Sequence, residues 1–442
     1  MDKNDRQRVF TNSLLIVFLI TTAVFLRSYH LTSLHTANGD EVAWLDVGMS
    51  IIRTGAPTTW TIGWNYHNWD AYWHVDNTGV MPVVTPWLDH PPTFGVLAGG
   101  WALLTGHHNL ENPNWTLLRI PMIVISVLTL FFTYLAVTNV FGSKLALFTL
   151  FAYTFFPSSV IASRYILPEN AVTLLLVISL AVQSFSGKKF KSKLGQIMVL
   201  AWQSIICYVA PAIKMSGLVV PVTLSFYHLR QNKFKRGLWF LIVGLLAVVS
   251  FITYGWIYSW PVFIGAQTQH ALRPNTFAHF WTLFTKLDVG HFPLFDPSII
   301  AGLIGYFLLM AVSNEKQKLF LFIPFLSITG LMLYVSPVEA YGWYKYLLYP
   351  LIAIGLGHIF KELCEGKYYY WVLFLPLIMM LMENAQLVQN DSIRRYIMMV
   401  FFGLFLVPFI WHKSVFNIKH VSVVLVGLYA CFSVFWLIRI IP

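Results

Sequence analysis

The chain has 442 residues, of which 57% are hydrophobic and only 11% are charged. A soluble domain carries about 25% charged residues, so this composition and the mean hydropathy of +0.66 exclude a soluble globular protein. The net charge of +11 would favour a nucleic-acid partner in a soluble protein, but here the basic residues fall between apolar segments and no nucleic-acid partner is expected. The sequence predicts a polytopic membrane protein.

Basic clusters between the apolar segments set the predicted orientation in the membrane. The positive-inside rule places them in the cytoplasm together with the N-terminus. The clusters are Lys3/Arg6/Arg8, Lys188/Lys189/Lys191/Lys193, Arg230/Lys233/Lys235/Arg236, Lys316/Lys318, Lys361/Lys367 and Lys413/Lys419. The long loops 30–117 and 259–297 then lie outside, so we expect a multi-pass protein of the cell membrane with an extracytoplasmic functional site.

About thirteen apolar segments, with a range of about 11–14, fit this orientation. They are 10–29, 118–138, 145–160, 168–186, 195–213, 215–229, 238–258, 298–312, 319–335, 345–360, 369–387, 396–411 and 421–441. The apolar segment 92–106 would turn the later basic clusters outward if it crossed, so we expect it to lie flat in the outer leaflet. The predicted fold class is all-α, with juxtamembrane helices in the long first extracytoplasmic loop.

The chain is expected to form a single membrane-embedded domain over residues 1–442, because no repeat, linker or soluble domain interrupts it. Residues 1–230 would be the catalytic core module and contain the first outer loop, 30–117. Residues 231–442 would be variable C-terminal helices around the second outer loop, 259–297.

A pair of carboxylates, Asp40 and Glu41, follows the first apolar segment and opens a candidate amphipathic helix, 41–52. Acidic residues in a first helical turn favour the positive end of the helix dipole, so a simple helix cap is one interpretation of the pair. The other interpretation is acid–base chemistry just outside the bilayer. It depends on the charged residues that share this face of the membrane.

Three cations accompany the carboxylates on the outer side. Arg119 opens the second span, Arg164 precedes the fourth, and Lys214 interrupts a long apolar stretch. The part after Lys214 reaches about 22 Å, short of the ~30 Å hydrocarbon core, so the lysine should be recessed into the outer leaflet. A charge placed there costs about 2.5–3.5 kcal/mol without an anion, which favours a functional partner over snorkelling to headgroups.

An anion at headgroup depth beside a carboxylate suggests a lipid phosphate. A sugar carried on a polyprenyl phosphate has a good leaving group already, so the site needs cations to hold the departing charge. One carboxylate then suffices to deprotonate an acceptor hydroxyl, unlike glycoside hydrolysis with its two carboxyl groups. Asp40 is the expected base.

The motifs also follow a recognisable order along the chain. They are Asp40-Glu41, Asp89-His90-Pro91-Pro92, Leu118-Arg119, Ser163-Arg164-Tyr165-Ile166-Leu167-Pro168-Glu169, the isolated Lys214, and a weaker echo in Trp343-Tyr344-Lys345-Tyr346-Leu347-Leu348-Tyr349-Pro350. This order resembles that of the C-type (GT-C) glycosyltransferases, in particular the branch of the protein O-mannosyltransferases and lipid A aminoarabinose transferases. The likeness covers about residues 1–230.

The resemblance implies a membrane hexosyl- or pentosyltransferase that uses a dolichyl- or undecaprenyl-phosphate sugar and inverts the anomeric carbon. The acceptor would be a hydroxyl of a glycan, a lipid or a protein. The expected site consists of catalytic Asp40 and Glu41, phosphate-binding Arg119, Arg164, Lys214 and Lys345, and supporting Asp89, His90, Glu169 and Tyr344. Glu169 is expected to orient or to pair with Arg164. Neither the extra lumenal domain nor the periplasmic C-terminal domain of that branch is expected, so the acceptor is not carried over.

Alternatives remain for the cofactor and for the class. No cofactor is expected, although a divalent metal stays open because several acidic residues and histidines share the first outer loop without a known zinc spacing. They are Asp70, His74, Asp76, His90, His107 and His108. A transporter or flippase of a lipid-linked or anionic substrate is the competing class, since Pro211 and Pro221 could break helices, but no inverted halves are visible. A binding subunit without activity is the third.

Overall fold

The computed structural model describes residues 3–32, 39–61, 69–75, 79–189, 192–272, 296–332, 342–384, 396, 399–400, 403 and 418–441. Their main elements are helices and one small sheet. The helices are α1 (Lys3–Ser28), α2 (Gly39–Thr54), α3 (Thr93–Leu104), α4 (Trp115–Phe141), α5 (Ser143–Phe155), α6 (Pro157–Ala162), α7 (Pro168–Lys189), α8 (Lys193–Ile213), α9 (Val219–Arg230), α10 (Phe234–Ala271), α11 (Pro297–Val312), α12 (Glu315–Met332), α13 (Tyr349–Cys364), α14 (Trp371–Asn384) and α15 (Ile418–Ile440). Short 3₁₀ turns lie at Met215–Leu218, Gly342–Leu348 and Tyr368–Tyr370.

Long apolar helices dominate the protein, as the composition predicted. Seven described segments are long and apolar enough to cross a membrane: Phe10–Ser28, Trp115–Phe141, Pro168–Phe185, Lys193–Ile213, Phe234–Ala271, Tyr344–Cys364 and Lys419–Arg439. Shorter apolar helices such as α5 and α11 join them. The protein is therefore a helical, multi-pass membrane protein. The number of about thirteen crossings and their orientation stay predictions.

Several predicted boundaries differ from the observed elements. The predicted span 238–258 is part of the longer helix α10, whose backbone leaves helical geometry at Ser259, two residues before Pro261. The start of the predicted second outer loop is thus helical up to Ala271, and residues 273–295 of that loop lie outside the described residues. Most of the predicted span 396–411 also lies outside them.

The first outer loop contains a three-stranded antiparallel sheet that the all-α prediction missed. Its strands are β1 (Thr59–Trp60), β2 (Trp69–Val75) and β3 (Gly79–Val84), in the order β1-β3-β2. The two longer strands are short and aromatic or β-branched, a composition typical of strands but easily taken for part of a membrane-interface belt. The predicted juxtamembrane helices are present as α2 and α3.

Helices α2 and α3 are in backbone contact through glycines. A Cβ atom added to Gly48 would lie 1.7 Å from the carbonyl oxygen of Gly95, and one added to Gly99 would lie 2.3 Å from the backbone nitrogen of Met49. Only glycine permits this approach at either position. The segment predicted to lie flat is therefore a 12-residue helix packed against the helix that carries Asp40 and Glu41.

The C-terminal helices pack onto the N-terminal ones. Helix α13 contacts both α5 and α11, and the turn Gly342–Leu348 that precedes α13 packs against α7. Buried side chains from α1 through α15 form one continuous hydrophobic cluster. The motif from Trp343 to Pro350 thereby lies next to the Ser163–Glu169 motif. The predicted functional division of the chain near residue 230 stays a prediction.

Candidate active site

Glu41 and Arg119 form a buried, bidentate ion pair. Arg119 Nη2 lies 2.8 Å from Glu41 Oε2 and Arg119 Nε lies 3.0 Å from Glu41 Oε1, with 1% and 0% of the side chains exposed. Glu41 Oε1 also accepts a 2.9 Å hydrogen bond from the backbone N–H of Ile166, and Arg119 Nη1 donates to the carbonyl of Leu31 at 2.7 Å. The pair thus ties the end of α1, the start of α2, α4 and the turn before α7 together.

Aromatic rings flank this pair. The Arg119 guanidinium lies 5.4 Å from the ring centre of Trp115 and 5.6 Å from that of Tyr165. A guanidinium that is bonded on its edge and covered on its faces is strongly oriented. Arg119 is consequently committed to Glu41 and its own surroundings, and Glu41 has both oxygens occupied.

Asp40 differs from its neighbour because it is only half-buried and can be reached from outside. It lies close enough to Lys214 for its charge to favour the ammonium form of that lysine. Lys214 itself is buried, at 8% exposure, and ends α8 in an extended conformation, while its predicted depth in the outer leaflet stays a prediction. The structure therefore brings the predicted base and the predicted recessed cation together.

Glu169 is the partner of Lys214. Lys214 Nζ donates to Glu169 Oε1, and the ring centre of Tyr344 lies 5.2 Å from Nζ. The expectation that Glu169 pairs with Arg164 is wrong, because Arg164 points towards α1 instead. Glu169 occupies the first turn of α7 and is fully buried, with one oxygen, Oε2, that no described residue hydrogen-bonds.

Arg164 is fully buried without a carboxylate partner among the described residues. Its donors reach backbone carbonyls at the end of α1, with Nε 3.1 Å from Arg27 O and Nη2 3.3 Å from Leu26 O, and Nη2 also donates to Tyr29 O. No described group accepts from Nη1. Burial is the largest cause that lowers the pKa of Arg164 to about 9; the positive charges of Arg119 and Arg27 act in the same direction and Tyr165 opposes them.

Arg27 is a further buried cation that the sequence analysis missed. It donates to Ser126 Oγ at 2.8 Å, to Ser159 Oγ at 3.2 Å and to Tyr153 O at 3.1 Å, all of them neutral groups. The signal was visible, since a charged residue stood at the end of the first apolar span. Lys345 is buried as well, at 1% exposure, in the turn that packs against α7.

Asp89 and His90 form a second cluster beside the start of α2. The ring of His90 stacks on Trp44, one turn after Asp40, with ring centres 5.4 Å apart, and lies 5.4 Å from the ring of His270. Asp89 Oδ2 accepts from Thr61 Oγ1 at 3.0 Å. The tail of α10 thus rests on the first outer loop, an arrangement without any local sequence signal.

The proposed metal-binding histidines do not converge where the structure describes them. His107 bonds to Thr105 and to the backbone of Asn114, and the carbonyl of His108 accepts from Arg53. Within the described ranges, no three His, Cys, Asp or Glu residues are placed to hold a metal ion. Asp76 and the side chains of Asp70 and His74 lie outside the described residues.

Taken as chemistry, the site offers one reachable carboxylate beside several buried cations. Glu41 and Glu169 offset two of the positive charges, while Arg27 and Arg164 have only neutral partners among the described residues. Burial makes an uncompensated cation costly, and an incoming anion would relieve that cost. Such an arrangement can hold an anionic group near Asp40 and leave Asp40 to accept a proton.

Solved structures of two proteins resemble this chain in fold. Apo ArnT from Cupriavidus metallidurans gives a TM-score of 0.62 at 14% identity, covering 96% of this chain and 76% of that chain. ArnT from Cupriavidus metallidurans bound to undecaprenyl phosphate gives 0.54 at 16% identity, with the same 96% and 76% coverage. AglB, an oligosaccharyltransferase from Archaeoglobus fulgidus in complex with an inhibitory peptide and a dolichol-phosphate, gives 0.54 at 12% identity, over 96% of this chain and 56% of that chain.

These likenesses identify the fold. No protein-family model and no curated protein sequence matches the chain. At identities of 12% to 16% the structures speak for architecture alone, and that architecture is the GT-C fold. The fold that the order of the motifs predicted is therefore confirmed.

Proposed function

We propose that this protein is an integral-membrane glycosyltransferase that moves a hexose or pentose from a polyprenyl phosphate to an acceptor hydroxyl outside the cytoplasm. The acceptor would be a glycan, a lipid or a protein. The observation that carries the proposal is a reachable carboxylate, Asp40, within electrostatic range of the buried ammonium of Lys214 inside a GT-C fold.

Two solved proteins of this fold contain lipid phosphates, which supports the choice of donor. ArnT was solved with undecaprenyl phosphate and AglB with a dolichol-phosphate. The buried cations of the present chain would suit the same chemical group, because a phosphate monoester or diester presents several acceptor oxygens to ammonium and guanidinium donors. Lys214, Arg164 and Lys345 are the proposed holders of that charge.

The reaction would be a single inverting displacement. The acceptor oxygen forms a bond to the anomeric carbon while the bond from that carbon to the phosphate oxygen breaks, and its electron pair leaves with the phosphate. Asp40 takes the acceptor's proton, and the cations stabilise the negative charge that grows on the phosphate. No acid is needed on the leaving side.

Glu41 and Arg119 would act by positioning rather than by contact with substrate. Both oxygens of Glu41 are already hydrogen-bonded, and the donors of Arg119 reach Glu41 and Leu31. Because Glu41 follows Asp40 directly, this clamp fixes the direction in which Asp40 leaves the first turn of α2.

The experiment that tests the proposal is mass spectrometry of cell-surface glycans, lipids and proteins with and without this chain. We expect one class of molecule to lose a mass equal to one sugar when the chain is deleted, and to regain it with the wild-type chain but not with the Asp40→Asn variant. Identical profiles in all strains, with the polyprenyl-phosphate sugar available, would contradict the proposal.

A further inference from the structure

Glu169 has one carboxylate oxygen in use and one to spare. Oε1 accepts from Lys214 Nζ, whereas Oε2 is buried and accepts from no described residue. A buried carboxylate oxygen without a donor is costly, so such atoms usually mark a missing partner. A ligand that enters the site with a hydrogen-bond donor would supply the partner that the described residues do not.

We propose that Glu169 Oε2 recognises the sugar of the donor by accepting a hydrogen bond from one of its hydroxyl or amino groups. The proposal rests on the proposed function, because it takes the ligand to be a sugar attached to a phosphate. It assigns Glu169 a substrate contact of its own, beyond its pairing with Lys214.

The short distances between Glu169, Lys214 and a bound phosphate indicate that the sugar supplies this hydrogen-bond donor. If Lys214 Nζ holds a phosphate oxygen at about 2.8 Å, then Glu169, bonded to the same ammonium, lies within a few ångströms of that phosphate. The sugar is joined to the phosphate through one oxygen atom, so it must lie next to that phosphate. A hydroxyl next to the anomeric carbon therefore falls within reach of Glu169 Oε2.

The surroundings of Glu169 fit a hydroxyl group. Tyr346 lies in the turn that packs against α7, whose first turn carries Glu169, and its buried hydroxyl has no hydrogen-bond partner among the described residues. A hydroxyl both donates and accepts, so one sugar hydroxyl could donate a hydrogen bond to Glu169 Oε2 and accept one from the hydroxyl of Tyr346. An aliphatic or purely anionic ligand could not satisfy both.

The test compares a lipid phosphate without a sugar with sugar-carrying lipid phosphates, on the wild-type protein and on one variant. Undecaprenyl phosphate alone and a panel of undecaprenyl-phosphate hexoses and pentoses are titrated against the wild-type protein and Glu169→Gln in lipid nanodiscs. For the sugar lipid that binds the wild type most tightly, we expect Glu169→Gln to weaken binding by about tenfold to a hundredfold more than it weakens binding of undecaprenyl phosphate. Glutamine keeps the volume of the side chain and an oxygen for Lys214 but loses the charged acceptor. Retained binding of undecaprenyl phosphate shows that the variant is folded.

Sugar lipids that lack a single hydroxyl or amino group sharpen the test. The analogue that lacks the recognised group should bind wild-type protein as weakly as the full donor binds Glu169→Gln, and the variant should not distinguish the two donors. The control is Glu365→Gln, which makes the same chemical change directly after the C-terminus of α13, away from the turn Gly342–Leu348 beside the site. It should leave the affinities for undecaprenyl phosphate and for the sugar lipid unchanged.

Two results would overturn the inference in distinguishable ways. If Glu169→Gln changes the affinities for undecaprenyl phosphate and for the sugar lipid by the same factor, Glu169 acts only through Lys214 and the proposed function stands. If the wild-type protein binds no polyprenyl phosphate of either kind, the proposed function falls and this inference with it.

Discussion

Ion pairs gather at the two ends of α13, separated by about 24 Å along its axis. The cluster near its N-terminus is called the outer cluster, after the predicted orientation, and comprises Asp40, Glu41, Arg119, Arg164, Glu169, Lys214 and Lys345. The cluster near its C-terminus is called the inner cluster on the same basis and comprises Lys144, His358, Lys361, Glu362, Glu365 and Lys367. The Glu41–Arg119 pair of the outer cluster is 0% and 1% exposed. In the inner cluster Lys144 is 58% exposed and its partner Glu365 is 28% exposed, while Glu362 and His358 are buried.

The Glu41–Arg119 and Lys144–Glu365 pairs differ in burial, and this difference separates two uses of the same kinds of side chain. Exposed pairs such as Lys144–Glu365 are screened by water and contribute about 0–1 kcal/mol, so they need no further explanation. Buried charges are costly unless every donor and acceptor is used, and the outer cluster retains unused atoms on Arg164 and Glu169. A ligand would complete such a cluster, which is the reason for proposing the active site there.

The largest expected effect is on turnover and belongs to Asp40. Asp40→Asn keeps the shape of the side chain but removes the proton acceptor, so we expect sugar transfer from the polyprenyl-phosphate donor to fall by about 10²–10⁴-fold. Binding of the donor and the amount of folded protein in the membrane should be close to wild type. The measurement is single-turnover transfer by purified protein.

The matched control is Glu365→Gln in the inner cluster, which should transfer sugar at the wild-type rate. Near-normal turnover by Asp40→Asn would remove Asp40 from the role of base, whatever the behaviour of the control.

The second largest effect is on stability and belongs to the Glu41–Arg119 pair. Arg119→Leu leaves the carboxylate of Glu41 buried without its partner, so we expect the free energy of unfolding to fall by about 3–5 kcal/mol. Removing both charges, as in Glu41→Leu with Arg119→Leu, should restore much of that loss because no unpaired charge remains. Denaturant unfolding in detergent micelles measures the free energy of unfolding of the wild type and of both variants.

This double-mutant comparison also tests the positioning role. The double variant should be folded yet slow in sugar transfer, since nothing holds the start of α2. A double variant with both wild-type stability and wild-type turnover would show that the clamp does not orient Asp40.

A pH effect is expected from Asp46, on the helix that carries Asp40. Burial raises the pKa of Asp46 from 3.8 to about 7, so the folded protein holds a proton that the unfolded chain releases near pH 4. The contribution of this residue to stability is therefore favourable at low pH and is lost as the pH rises from about 4 to about 7. Asp46→Asn should raise the unfolding temperature at pH 8 more than at pH 5.

The exposed residue Glu315, whose side chain is 82% accessible, supplies the control for this prediction. Glu315→Gln should leave the difference in unfolding temperature between pH 5 and pH 8 as it is in the wild type. The same pH dependence in Asp46→Asn as in the wild type would mean that other groups cause it.

The smallest effect is expected in the inner cluster. Lys144→Gln removes the 2.7 Å contact with Glu365, and we expect the free energy of unfolding to change by no more than about 1 kcal/mol. A loss of several kcal/mol would erase the contrast between the two clusters, because it would make burial a poor guide to the cost of losing a partner.

Sequence reasoning succeeded where one residue carried a strong physical cost. Lys214 interrupts an apolar stretch that is too short to cross alone, and this predicted that the lysine would be buried and would need an anionic partner. Its depth in the membrane stays a prediction. The identity of that partner could not be read, because Glu169 lies in the same motif as Arg164 and only the turn geometry decides which cation it meets. The three-stranded sheet was missed since its strands are short and its aromatic residues also suit a membrane interface.

Contacts between distant segments were the other limit. Tyr344 reaches Lys214 and His270 reaches His90 through the packing of whole helices, and no local pattern encodes such a meeting. Arg27 was overlooked because an arginine at the end of an apolar helix is usually an interface residue that snorkels to the headgroups. Its burial depends on Ser126 and Ser159, which lie about a hundred residues or more away.

The central claim is that the buried cations of the outer cluster hold a lipid phosphate. The most direct measurement is the affinity of unglycosylated undecaprenyl phosphate for wild-type protein, Lys214→Gln and Lys144→Gln in nanodiscs. We expect Lys214→Gln, which keeps a donor for Glu169 but loses the charge, to bind at least about tenfold more weakly, and Lys144→Gln to bind like the wild type. Equal binding by all three proteins would contradict the claim.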